Sequence, residues 1–247
     1  MIKTEEEIAI MRICGSRLST IAKEIREFIR PGIMTKNIDG LFERLLQKQG
    51  LKSAFKGYKG YSNHICTSIN SEVVHGIPDR IMVRDGDVLK VDMGAVLNGY
   101  YTDMAFTVGV GFITSDVKDL IQTTKEALHK GIEQAKVGNK IGDIGFAIES
   151  YCKLGGYSIV RDYVGHGIGK ALHEEPKVPN DGIPNTGLEL REGMVIAIEP
   201  VVVMGNPDVV TLDDCWTVVT KDDSIGAHFE HTVAITKNGP LILTEAM

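Results

Sequence analysis

Two stretches of this chain share one order of elements. A long amphipathic segment, a glycine-containing break, a shorter apolar-periodic segment and a glycine stop occur first near 5–50 and again near 115–156. Gly138, Ile144 and Gly156 each lie 106 positions after Gly32, Ile38 and Gly50. The matched letters are few and chance can produce them; the shared order of elements is the stronger sign of duplication. Strand-like runs follow each helix pair. This predicts two pseudo-symmetric α+β halves, about 1–110 and 111–247, within a single domain spanning 1–247. Antiparallel strands form one central curved sheet with helices on its outer side, and a central site collects residues from both halves.

Local signals place the elements. Thr4-Glu-Glu-Glu7 reads as a capping box. Ile8, Met11, Leu18, Ile21, Ile25 and Phe28 then recur at helical spacing, predicting a helix over Glu5–Ile29 that Pro31-Gly32 closes. Thr35 is expected to cap a second helix, which stops at Gly50. A strand is expected around Ile65–Ile69 and a long helix over Ser115–Lys136. Later strands are expected near Tyr157–Val164, Met194–Val203, Trp216–Thr220 and Ala227–Thr236.

Asn98-Gly99 is a strong hairpin signal, because both central positions of a type I′ turn need positive φ. With those two residues as the loop, Leu97 faces Tyr100 and Asp92 faces Ala105. Asp103, two residues from Ala105, then shares the face of Asp92. The two carboxylates are diagonal neighbours, their backbones roughly 7–8 Å apart. Unpaired carboxylates this close repel each other, and one or two divalent cations are the natural compensation. The plainer reading makes one of them a turn or edge residue.

Other residues add to this pair. Gly165-His-Gly-Ile-Gly169 sets His166 among glycines, where backbone and solute can approach closely. Taken alone it is also a plain glycine-rich turn, and it lacks the spacing of a nucleotide loop. Glu199 ends the apolar strand Met194–Ile198 and Glu230 sits in another, Phe229–Ile235. A carboxylate on an apolar face is costly unless paired or metal-bound. Either glutamate could be a salt-bridge partner; four carboxylates and an imidazole together suit two divalent ions.

Composition excludes several classes. The net charge of −6 argues against general nucleic-acid binding. The first thirty residues are rich in charge and carry no apolar signal segment. No run is long and apolar enough to span a bilayer. Cys14, Cys66, Cys152 and Cys215 form no CxxC, which reads as free thiols in a reducing cytoplasm.

Over nearly its whole length the chain resembles the bacterial type I methionine aminopeptidases. The resemblance rests on His75-Gly-Ile-Pro78, the Asp92–Asp103 hairpin, Gly165-His-Gly-Ile-Gly169 with His173-Glu-Glu-Pro176, Glu199-Pro200, Trp216-Thr217 and Glu230-His-Thr232. It implies the pita-bread fold and an aminopeptidase that removes N-terminal methionine when the second residue is small. It implies two divalent ions (Co, Mn, Fe or Zn) held by Asp92, Asp103, His166, Glu199 and Glu230, with Asp103 and Glu230 bridging. Glu199 is then also the general base, and His75 and His173 contact substrate. Tyr58, Tyr61, Cys66, Leu172 and Trp216 match the side-chain pocket. The implied partners are the N-termini of nascent polypeptides and, by extension, the ribosome, with a cytoplasmic monomer expected.

The chain departs from that pattern at three places. Lys90 replaces a usual Asn, and is either solvent-facing or a cation near the carboxylates. Met93-Gly94 replaces a usual Val-Thr or Val-Ser. Leu172 takes a position often held by Phe, which reshapes the pocket slightly. Asp92-Met-Gly-Ala95 is closer to Xaa-Pro peptidases of the same fold, which supply the alternative reading. A second alternative is a binding protein that kept the fold without the chemistry; such proteins typically lose ligands, and here all five residue types are present.

Overall fold

The computed structural model describes residues 2–245. In the first half, α1 (Glu5–Phe28) and α2 (Thr35–Gln49) precede β1 (Lys52–Ser53), β2 (Ile65–Ile69), β3 (Glu72–Val74), β4 (Val88–Leu97) and β5 (Tyr100–Gly109). In the second, α3 (Ser115–Gln134) and α4 (Ile141–Leu154) precede β6 (Ser158–Ile159), β7 (Gly165–Gly167), β8 (Glu174–Val178), β9 (Val195–Ile198) and β10 (Val201–Val203). The chain continues through β11 (Val209–Thr211), β12 (Val218–Thr220), β13 (Gly226–His228), β14 (Glu230–Thr236) and β15 (Gly239–Ile242).

The helix ends follow local chemistry. Thr4 and Glu7 form the expected capping box of α1. Thr35 is the first helical residue of α2 rather than its cap; its hydroxyl donates to the Asp79 carbonyl, and the Asn37 side chain accepts from the Met34 amide instead. The duplicated breaks share backbone geometry: Gly32 and Gly138 have φ of 87° and 90°, Gly50 and Gly156 of 67° and 80°. The residues before the second helices also correspond, since Met34 bridges to Met82 and Lys140 to Glu189.

The strands divide among three sheets rather than one. The largest runs β1-β4-β5-β14-β9-β7-β8, with β2 also on β4 and β15 on β14. Two three-stranded sheets, β13-β10-β6 and β11-β12-β3, flank it. The runs expected at Met194–Val203 and Ala227–Thr236 each split in two. Pro200 has no amide hydrogen to continue a ladder, so β9 stays in the large sheet while β10 joins β13.

Alternation gives the large sheet two functions. On β4, Leu89, Val91, Met93 and Ala95 are fully buried and pack with Leu18, Ile21 and Ile25 of α1 and with Ile38 and Phe42 of α2. The even-numbered residues face the other way. Burial of this apolar layer, roughly 25 cal/mol per Å², is what holds the helices on the outer side. No helix among the described residues is long and apolar enough to cross a membrane.

Candidate metal centre

The register of β4 and β5 sets the first two carboxylates. Leu97 faces Tyr100, Gly94 faces Asp103 and Asp92 faces Ala105. Asn98 and Gly99 have φ of 50° and 83°, as a type I′ loop requires. Facing residues share a face, so Asp92, Gly94, Asp103 and Ala105 point one way. On the other edge of β5, Glu230 also pairs with Ala105. His231 pairs with Ile198, so the next step along that register brings Glu199 across from Glu230. Thr232 ties β14 to β5 here: its hydroxyl donates to the Asp103 carbonyl (2.8 Å) and accepts from the Asp103 amide (2.9 Å).

His166 arrives from β7, which pairs with β9 through Gly167 and Ile196. Its Nδ1 lies 2.8 Å from the Gly167 carbonyl. A carbonyl only accepts, so Nδ1 carries the proton and Nε2 keeps a free lone pair. That Nε2 lies 3.4 Å from Glu199 Oε1. Ligand atoms of Asp103, His166 and Glu230 all fall within 4.8 Å of one another, and the three residues are 4%, 8% and 2% exposed.

The electrostatics are those of a site built for a cation. Burial pushes the Asp92 carboxyl up to about 7. Burial, and then the neighbouring carboxylates, push Asp103, Glu199 and Glu230 well above their ordinary values. Burial lowers His166, keeping its imidazole neutral. Asp92 Oδ1, Asp103 Oδ1 and Glu230 Oε1 are buried with no hydrogen-bond partner. Such orphaned acceptors are costly unless something positive reaches them. Carboxylate oxygens plus one neutral imidazole are the donors that hard-to-borderline divalent ions take, so the residues present fit such ions.

Lys90 is not that positive charge. It is 1% exposed, so it does not face solvent. Its Nζ donates to the carbonyls of Asn70 (2.6 Å) and Gly226 (3.2 Å), and the carboxylates whose charge acts on it are Glu72 and Asp87, not the cluster. Burial lowers its amine to about 7.

The carboxylates open onto a cavity of about 190 Å³. Around it stand Tyr58, Tyr61, Cys66, Leu172 and Trp216, together with His75 and His173. Tyr61 packs edge-on against Trp216 at 4.9 Å, and its hydroxyl donates to the carbonyls of Ile65 and Gly76. His75 sits at φ 60°, and burial lowers its imidazole to about 4. His173 stacks obliquely on His166 at 4.2 Å, and its Nδ1 lies 2.8 Å from the Tyr58 hydroxyl. All twelve residues singled out from the sequence therefore border one cavity. Phe55 and Lys59 border it too and were not among them. His228 stands behind Glu199, its Nε2 3.9 Å from Oε2.

Known proteins sort this site. The sequence model described as "Metallopeptidase family M24" matches residues 9–237. The chain belongs to metallopeptidase family M24. Among its M24 relatives, "Methionine aminopeptidase 1" of Bacillus subtilis (strain 168) is 48% identical over 242 residues, covering 98% of each chain. The crystal structure of methionine aminopeptidase from Thermotoga maritima superposes with a TM-score of 0.98 at 44% identity, covering 99% of both chains. Prolidase from Pyrococcus furiosus shares the M24 fold at a TM-score of 0.79 and 26% identity, and the chain covers 66% of it. The fold is thus the expected pita-bread fold, and the chain lies on the methionine aminopeptidase side of the family.

Proposed function

We propose that this chain is a methionine aminopeptidase that removes the N-terminal methionine from polypeptides whose second residue is small. One observation carries the reading: a small cavity, apolar at one end, opens directly onto the cluster of buried carboxylates. Drug-sized ligands need roughly 300–1,000 Å³, so a cavity of about 190 Å³ holds one side chain. A pocket for a single side chain beside the reacting centre favours removal of one terminal residue. Tyr58, Tyr61, Cys66, Leu172 and Trp216 supply apolar and sulfur-compatible walls for an unbranched thioether.

Asp92, Asp103, His166, Glu199 and Glu230 would hold two divalent ions. When bound, such ions supply Lewis acidity, which acidifies water and polarises a carbonyl. Glu199 takes the proton of the attacking water and returns it to the leaving amine. The phenol of Tyr58 is a better donor than an imidazole N–H, so it donates to His173 Nδ1. His173 Nε2–H then faces the site and stabilises the oxyanion of the tetrahedral intermediate. His75, held against Tyr163 and Trp216, lies where the second residue's amide would pass.

The single catalytic domain works as two halves. Asp92 and Asp103 come from the first, and His166, Glu199 and Glu230 from the second. The expected setting is a cytoplasmic monomer acting on nascent chains near the ribosome.

Peptides of the Met-Gly-Ser type and of the Xaa-Pro type, each with added Mn²⁺ or Co²⁺, test the reading. Release of free methionine from the first alone is the expected result. Cleavage only before proline would move the chain to the Xaa-Pro activity of its fold relatives. No cleavage and no metal uptake would make it a binding protein.

A further inference from the structure

The third glycine of the run Gly165-His-Gly-Ile-Gly169 takes no part in the metal centre. Its φ lies outside the left-handed region, so conformation does not require it. Space does: a Cβ there would stand 2.2 Å from Lys3 Cε and 2.7 Å from Lys3 Nζ, and would displace the lysine from its path. The bare backbone lets the Lys3 side chain cross and reach Glu174, whose Oε2 accepts from Nζ at 2.6 Å. Lys3 is 7% exposed, so water and salt screen this ion pair little. The backbone of Lys3 is itself fixed. Ile2 bridges to Met194, and the Lys3 amide donates to the Gly193 carbonyl at 2.7 Å, just before β9. The other oxygen of Glu174, Oε1, accepts from the amides of Lys170 (2.7 Å) and Ala171 (3.2 Å). Against the effect of burial, Lys3 and these two amides lower the Glu174 carboxyl below its ordinary value and keep it charged. Glu174 therefore closes residues 169–174 into a loop, and Lys3 fastens that loop to the start of β9. The loop carries Leu172 and His173, which both border the cavity. Leu172 is buried, but His173 is exposed, so burial does not fix its place.

We propose that Lys3 and Glu174 are positioning residues for His173: their ion pair, admitted by Gly169, holds the 169–174 loop so that the imidazole stays against His166 and Tyr58. The proposal rests on the aminopeptidase reading for what His173 does, and on packing and hydrogen bonds alone for how it is held. Without the tie the loop spreads His173 over several positions, and a donor misplaced by about 1 Å costs up to about 100-fold in rate. The N-terminal segment is then part of the framework of the site, although Lys3 does not border the cavity. Lys3 acts only through the loop, so its loss and the loss of His173 do not add.

Two measurements test it: turnover of a Met-Gly-Ser peptide by the Mn²⁺-loaded chain, and amide hydrogen exchange of the metal-free chain. Lys3→Met keeps the apolar stem of the side chain and removes the ammonium. It is expected to lower kcat by about 10–100-fold and to have no further effect in the His173→Ala background. Lys3→Arg, which keeps a charge that reaches Glu174, is expected to retain most of the turnover. The amides of Lys170 and Ala171 are expected to exchange about tenfold faster in Lys3→Met, while those of β4 and β5 do not change. Glu174→Gln keeps an acceptor for the two amides and removes the charge that holds Lys3. It is expected to show the same fall in kcat on a smaller scale, and serves if Lys3→Met does not fold. A lower melting temperature with kcat unchanged, a fall in kcat that persists in His173→Ala, or unchanged exchange at 170 and 171 would overturn the proposal. Faster exchange in Lys3→Met alongside a parent that releases no methionine would sink the reaction assigned above and leave the loop assignment standing.

Discussion

Asp92 and Glu230 flank the same residue, Ala105, from the two strands on either side of β5. Their carboxylates therefore converge above a methyl group, the smallest side chain that leaves both free to lean inward. Neither carboxylate oxygen named above as orphaned has a protein donor. The row continues to Glu199, the residue just after β9, so a row of three carboxylates follows from strand register.

Ala105→Val is expected to disturb that row without unfolding the sheet, because β-branched residues suit a strand. The added methyls enter the space between the two carboxylates. Affinity for Mn²⁺ should fall by about 10–100-fold, the usual effect of displacing the groups that orient ligands. Titration calorimetry on metal-free protein measures it, and unchanged affinity would mean the two carboxylates do not share a metal site.

The cluster should make the metal-free chain unstable toward high pH. Burial, then Asp92 and Glu199, raise Asp103 well above its ordinary 3.8. Between the two values the folded chain keeps a proton that the unfolded chain releases, so stability falls as pH rises through that window. Asp103→Asn removes this liability. The metal-free variant should be more stable than the metal-free parent at pH 8, with the gap narrowing toward pH 4, by up to about 1.4 kcal/mol per pH unit. Saturating Mn²⁺ should reverse the order, since the variant has lost a ligand. Thermal melts across pH, with and without metal, check both signs.

Glu199→Gln keeps the shape of the side chain and removes its basicity. Turnover of a Met-Gly-Ser peptide should fall by about 10²–10⁴-fold, the range for a lost general base. KM should change little, and the metal-free variant, like Asp103→Asn, should be more stable than the metal-free parent at pH 8, because burial also raises the Glu199 carboxyl. Near-normal kcat in a folded, metal-loaded variant would remove Glu199 from that role.

Much of this was legible in the sequence because the informative signals are local. Asn98-Gly99 sets the register of its own hairpin, and the alternation of β4 and β5 follows from it. The glycines at 32, 50, 138 and 156 mark the duplicated breaks through their positive φ. The illegible parts depend on residues far apart. Lys90 looked like an exposed cation or a partner of the carboxylates, yet its amine is spent on carbonyls contributed by Asn70 and Gly226. Gly94 sits mid-strand because β1, about forty positions earlier, pairs with β4 and brings Ala54 and Phe55 to within 2.7 Å and 2.6 Å of where its Cβ would stand, a contact no local signal announces. Pro200 was visible, but not that the chain changes sheets there. Thr35 has the right chemistry for a cap, and tertiary contact with Asp79 claims its hydroxyl first.

The most direct measurement is the divalent metal content of the anaerobically purified chain, read alongside methionine release as metal-free protein is titrated with Mn²⁺ or Co²⁺. Two ions are expected to bind per chain, with methionine release from Met-Gly-Ser appearing as they load and both lost in Asp103→Asn. A folded chain that takes up no divalent ion, or that releases methionine equally well without one, would contradict the metal centre.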